Sequence, residues 1–195
     1  MSYDISLKDP VTGETCEVPA HLLTGGTYAA EYHEEDGTFT PKPITEAWLN
    51  ITYNYSYYFR EAIKEVCEKE DGIYEFHGKE AAVCIPVISE MIEYIKLKYS
   101  DPVDGDENKR KWKTRIDKKP VYYDEFGNEK DANDYFYSII TNRDIDKWTK
   151  KEIEVEVNEG DTIDYWESTA ANALSALYKL KALMQLRPDG IVEVG

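Results

Sequence analysis

The chain has 195 residues, with 39 Asp+Glu against 23 Lys+Arg and a formal net charge of -16. Hydrophobic residues make up 42%, which excludes wholesale disorder and allows one domain with a packed core. A chain this negative is a poor candidate for binding nucleic acid or an anionic membrane over its whole surface. It suits a basic partner, or imitation of a polyanion.

In chain order, Tyr3, Ile5 and Leu7 alternate with Asp4 and Ser6 and predict a strand. Asp9-Pro10-Val11-Thr12-Gly13 reads as a turn, and Glu14 to Val18 as the returning strand of a hairpin. Gly25-Gly26 punctuates the next stretch, and residues 31–43, acidic with Gly and two prolines, read as a surface loop. Thr45 reads as the N-cap of a helix running to about Glu68, with Glu46 in its first turn. Trp48, Ile51, Tyr55, Tyr58, Phe59, Ala62, Ile63 and Val66 recur on its face at spacings of three and four. A second helix is expected from about Lys79 to Lys98, with Pro86 in its first turn or kinking it. Residues 100–119 read as a charged loop, Val121 to Phe126 as a strand before a Gly127-Asn128 turn, and Ala132 to Trp148 as a helix. Glu152 to Val157 alternates strictly and predicts a strand. Ser168 or Thr169 caps a last helix that Pro188 and Gly190 end beyond Leu186. The fold class expected is α+β. About three amphipathic helices form its core, joined by an N-terminal β-hairpin, in a single domain 1–195 carrying an inserted charged α/β subdomain at 99–165.

Met1 to Lys8 is polar and does not read as a signal peptide, and no run approaches 18 apolar residues. Cys16, Cys67 and Cys84 are an odd set with no CxxC pair, which suits a reducing compartment, so a cytoplasmic location is expected. The charge is bipolar: Lys109 to Lys119 holds seven bases and one acid, +6, which leaves -22 for the rest of the chain.

Several stretches resemble a family of small phage and prophage proteins of Gram-positive bacteria. They are residues 1–7, 9–14, Gly25-Gly26-Thr27-Tyr28, the block Thr45-Glu46-Ala47-Trp48-Leu49-Asn50-Ile51-Thr52-Tyr53-Asn54-Tyr55-Ser56, Ile85-Pro86 and Leu186-Arg187-Pro188-Asp189-Gly190. Together they cover a little over half the chain. Residues 31–43 and the long segment 99–165 are expansions relative to that pattern. The resemblance implies kinship with type II anti-CRISPR proteins, inhibitors of Cas9, acting in the cytoplasm of an infected or lysogenic host.

No catalytic signature survives inspection. Gly72 to Lys79 has five residues between its glycines and Glu80 after the Lys, so it lacks the phosphate-loop spacing and the hydroxyl for magnesium. His21, His33 and His77 are scattered. Asp101, Asp104, Asp106 and Glu107 lack calcium-loop spacing, and Glu107-Asn108-Lys109 is a chance echo of a metal-dependent nuclease core. No enzyme activity, cofactor or metal is expected. Three binding constellations remain. Lys109, Arg110, Lys111, Trp112, Lys113 and Arg115 put bases around an aromatic and could contact phosphates while stacking on a base. The alternative is a solvated loop balancing nearby acids. Glu152, Glu154 and Glu156 share a strand face at intervals of about 6.8 Å, twice the spacing of phosphates along a DNA strand, with Glu159, Asp161 and Asp164 extending the row and Asp144 and Asp146 before it. The alternative there is an edge strand with a wet face. Tyr53, Tyr55, Tyr57 and Tyr58 cannot all face a core, so Tyr53 and Tyr57 are candidate interface anchors, and exposed aromatics also suit a homodimer. The function expected is that of a non-enzymatic inhibitor occupying the basic DNA-binding surface of a host defence nuclease, Cas9 with its guide RNA. The second reading is a nucleic-acid-binding accessory protein using residues 109–115.

Overall fold

A computed structural model describes residues 2–23, 30–130, 132–141, 147–160 and 164–195. The fold is α+β, in two compact units: Met1–Lys113 with Glu159–Gly195, and Thr114–Asn158.

The first unit is organised around β1 (Ser2–Lys8), which lies between β6 (Trp48–Thr52) and the C-terminal β12 (Ile191–Val194), antiparallel to both. The alternation read from the sequence has a direct structural cause. Tyr3, Ile5 and Leu7, with Leu49, Ile51, Val192 and Val194, form a fully buried inner face. On the outer face Asn50 donates to Asp4 at 2.7 Å, and Lys8 pairs with Glu193 at 3.1 Å. The helices α1 (Ser56–Cys67), α2 (Ala81–Tyr99) and α4 (Ala170–Leu186) supply the rest of this core. Phe59, Ile63, Ile88, Met91, Leu177, Leu180 and Leu183 are all fully buried. Thr169 caps α4 by accepting from the Asn172 amide.

The structure corrects several element assignments. The segment after Thr45 is not the start of a helix. It holds β5 (Ile44–Glu46), paired with β2 (Glu17–His21), then β6 and a 3-10 turn capped by Thr52. The spacing of Trp48 and Ile51 fits a helix, but Leu49 and Ile51 also fit a period of two, and β1 lies alongside to pair with them. The turn at Asp9 forms as expected: its carboxylate accepts from the amides of Val11 and Thr12, and Gly13 takes φ +75°. The returning strand, however, meets β1 only at the Lys8–Thr15 bridge, and the extended partners of β1 come from far along the chain. Residues 31–43 are not simply a loop but contain the hairpin of β3 (Ala30–His33) and β4 (Thr38–Pro41). Pro86 is the sixth residue of α2, beyond the first turn, and cannot donate to the carbonyl of Ala82.

Residues 100–119 are strands rather than a loop. β7 (Ser100–Val103) pairs with β8 (Asp106–Trp112) in the first unit, and β9 (Thr114–Tyr123) opens the second. In the second unit β9 lies between β10 (Glu129–Lys130) and β11 (Thr149–Asn158). The helix α3 (Ala132–Ile140) is shorter than the expected run to Trp148. Tyr135 stacks on Tyr122 at 4.0 Å between ring centres and leans on Trp148 at 5.8 Å, an aromatic anchor for α3 against β9. Gly25-Gly26 lies outside the described residues.

Candidate partner-binding surface

The three constellations fare differently once the backbone is in place. Glu152, Glu154 and Glu156 stand on β11, all exposed. Antiparallel register sets Glu152 opposite Pro120, Glu154 opposite Lys118 and Glu156 opposite Ile116, with Lys150 opposite Tyr122. Directly opposed residues share a face, so the glutamates share theirs with Lys118 and Lys150. The other face carries Ile153, Val155 and Val157 against Lys119, Asp117 and Arg115. The carboxylate row is therefore present, but it faces Lys118 at Glu154 and ends at Lys150, so it is not a bare polyanion.

Glu159 does not extend that row. It is 1% exposed and belongs to the first unit. Its Oε2 accepts from the Tyr58 hydroxyl at 2.6 Å and from the Ala170 amide at 2.8 Å, and its own carbonyl accepts from Ala171. A carboxylate at the first amides of α4 satisfies a donor the helix leaves open and meets the positive end of its dipole. Glu159 is therefore a structural residue at the start of α4 and not the partner contact expected from the sequence. Asp161, Asp144 and Asp146 lie outside the described residues.

The basic run is engaged with the end of α2. Arg110 donates from Nε to Ser100 Oγ at 3.0 Å and from Nη2 to the carbonyls of Ser100 at 2.9 Å and Lys96 at 3.2 Å. Lys113 Nζ donates to the Lys98 carbonyl at 2.9 Å. Both cations thus lie where the helix C-terminus concentrates negative potential. Lys109 pairs with Asp106 at 3.4 Å, Arg115 with Asp117 at 2.7 Å, and half-buried Trp112 packs against the core. The Arg115 guanidinium holds the Asp117 carboxyl below its ordinary range. Lys111 is exposed opposite Asp101. A phosphate-binding strip would need these side chains free and turned outward together, whereas Arg110 and Trp112 are directed into the fold and exposed Lys113 is tied to the Lys98 carbonyl.

Tyr53 and Tyr57 belong to the first unit. Tyr53 is half-buried, stacked on Tyr3 at 4.2 Å and hydrogen-bonded to Tyr74 at 2.7 Å. Tyr57 is 56% exposed and donates to Glu61 at 3.2 Å. Sequence reasoning missed the centre of this cluster. Glu61 accepts from Lys98 Nζ at 2.6 Å and from the Tyr99 hydroxyl at 2.6 Å. Burial and the Glu61 bond push the Tyr99 hydroxyl well above its ordinary range. Burial alone would lower Lys98, yet its bonds to Glu61 and Tyr94 outweigh that and hold its ammonium above the usual value. Beside this network Ser56, Tyr57, Arg60, Glu61, Lys64 and Glu70 line an open groove of about 630 Å³. The one sequence signal for Glu61 was its place one turn after Tyr57.

Among the described residues no group of His, Cys, Asp or Glu is arranged to hold a metal ion, and no helix is long and apolar enough to cross a membrane. Fold and surface together describe an α+β chain that carries a largely exposed charged strand, β11. No protein-family model, no curated protein and no solved structure matches it.

Proposed function

We propose that this chain is a non-enzymatic binding protein that inhibits a nucleic-acid-directed host defence nuclease of the Cas9 type, acting in the cytoplasm of an infected bacterium. The contact is made by β11, with Glu152, Glu154 and Glu156 set against a basic surface that otherwise receives DNA. The observation that carries this reading is the display of the three glutamates. They are exposed at alternate positions of a ten-residue strand, so side chains spaced about 6.8 Å apart reach a partner from one face. Tyr57, exposed on α1, is a second candidate anchor. The net charge of -16 adds long-range attraction to a cationic cleft and repulsion from free DNA.

The reading is tested by mixing the protein with a Cas9–guide complex and, separately, with duplex DNA, followed by size exclusion and target cleavage at two salt concentrations. Co-elution with the nuclease and loss of cleavage, both weakened at the higher salt, are expected. Free passage past the nuclease with cleavage intact would overturn the proposal. Retention on duplex DNA that Lys109→Ala/Lys111→Ala abolishes would favour the accessory-protein reading instead.

A further inference from the structure

We infer that the outer edge of β11 is a docking site for an extended, basic strand of a partner protein, which adds to the ribbon by main-chain hydrogen bonding. This deepens the acidic-strand reading above and rests on it.

β11 pairs with β9 along all ten residues, from Thr149 opposite Tyr123 to Asn158 opposite Thr114. It is the end strand of its sheet, and among the described residues nothing pairs with its other side. An edge strand presents a row of N–H and C=O groups that can template a further strand. The phase of that row follows from one bond. The Glu159 amide donates to the Lys113 carbonyl, which continues the β11–β9 register by one pair. Amides alternate sides along a strand, so those of Val157, Val155, Ile153 and Lys151 point to β9. Those of Glu156, Glu154, Glu152 and Lys150 point outward. Pro120 agrees with this phase. It stands opposite Glu152, where the β9 residue makes no bond to β11, so its missing N–H leaves the ladder intact.

The two edges of the ribbon therefore differ. Beyond the short β10, β9 carries Pro120, which blunts its outer side against a further strand. β11 has ten residues and no proline. What limits its partners is charge. In antiparallel self-pairing, a two-fold axis at Glu154 sets that glutamate against its own copy and Glu152 against Glu156, and axes at Glu152 and Ile153 also oppose glutamates, offset there by Lys150 meeting Glu154 or Glu156. A second copy thus leaves glutamates opposed in each of these registers. A strand with Lys or Arg at alternate positions meets the same row favourably. The molecule already contains such a match: the strand that β11 accepts on its inner side is β9, with Arg115, Lys118 and Lys119 against one acid, Asp117, and Lys118 directly opposite Glu154. The half-exposed Ile153, 42% accessible, gives an added strand an apolar neighbour on the face opposite the glutamates.

The probe is a ten-residue peptide alternating lysine and valine. Two controls accompany it: a glutamate–valine counterpart, and the lysine–valine peptide methylated on alternate backbone nitrogens, which keeps the charge and removes donors. Binding is followed by calorimetry and by amide hydrogen exchange of the full chain. The expected result is binding of the lysine–valine peptide alone, with slowed exchange at Lys150, Glu152, Glu154 and Glu156. Backbone methylation weakens it by at least about tenfold. Glu154→Pro, which removes one outward amide and no bond to β9, weakens it likewise, whereas Glu154→Gln leaves the exchange pattern and reduces affinity mainly at low salt. Equal binding of the methylated and unmethylated peptides would overturn the inference, as would protection confined to other strands. So would a concentration-dependent dimer that Glu154→Pro dissolves, since β11 would then pair with itself. The peptide result does not depend on any nuclease, so an uninhibited nuclease with protected β11 amides would sink the proposed function alone. Inhibition without peptide protection would sink strand addition alone.

Discussion

Glu159 offers the sharpest test of how acidic residues divide between structure and surface. In Glu159→Ala the Tyr58 hydroxyl and the Ala170 amide both lose the carboxylate, which they meet at 2.6 Å and 2.8 Å in a site only 1% exposed. Each hydrogen bond to a charged group is worth roughly 1.5–3 kcal/mol. The position at the start of α4 adds about 0.3–1 kcal/mol through the helix dipole. Tyr58 keeps a bond to the Ser168 carbonyl at 3.1 Å, which reduces the loss. A net destabilisation of about 3 kcal/mol follows. Glu159→Gln keeps an acceptor oxygen but not the charge, so about half of that is expected. Glu154→Ala, on the exposed strand, should stay within about 0.5 kcal/mol of the parent. Equilibrium urea unfolding, followed by tryptophan fluorescence with the denaturant slope checked for constancy, reads all three. A Glu159→Ala protein as stable as the parent, or a Glu154→Ala protein equally damaged, would refute the division.

Arg110→Ala should cost about 2 kcal/mol because it strips the last turn of α2 of its guanidinium donors, whereas exposed Lys111→Ala should change stability by less than about 0.5 kcal/mol; denaturant midpoints that rank them the other way would return the basic run to the surface. In Gly190→Ala the new Cβ would meet Leu7 Cβ at 3.0 Å and the Arg187 carbonyl at 3.2 Å, so a loss of roughly 1–3 kcal/mol is expected from strain on β1, read in the same unfolding assay. Acid stability carries a signature of the C-terminal tail. Asp9 is held below its ordinary range by the amides of Thr12 and Val11 and then by Arg187, and Asp189 is held low by Arg187. Depressed carboxylates contribute stability that is complete above their unfolded value, near pH 4, and is lost as the pH falls through the lower folded value. Arg187→Ala should therefore flatten the loss of stability below about pH 4, and an unchanged slope there would contradict the contact.

Much of the local fold was legible because local chemistry set it. The Tyr3–Leu7 alternation, the Asp9–Gly13 turn, the Thr169 cap and the Glu152–Val157 strand each follow from a few neighbouring residues. What could not be read was non-local. Trp48 to Thr52 satisfies both helical and extended spacing, and the choice is made by β1, more than forty positions away in register. The basic run looked like a solvated loop because nothing in its own sequence shows that Arg110 reaches back to Lys96 and Ser100 at the end of α2. Glu159 looked like one more acid in a row until the start of α4 was placed over it. Cross-strand pairing also reshaped the acidic face, since Lys118 sits opposite Glu154 only once the register of β9 against β11 is known.

The most direct test of the central claim, that β11 is the working surface, is a titration of Cas9–guide cleavage with the parent chain and with Glu152→Gln/Glu154→Gln/Glu156→Gln. Three exposed neutral substitutions leave the fold intact, with the urea midpoint as control. Inhibition by the parent is expected, and for the triple variant a concentration for half-inhibition raised at least about tenfold at low salt. Equal inhibition by the two proteins, or none by either, would contradict it.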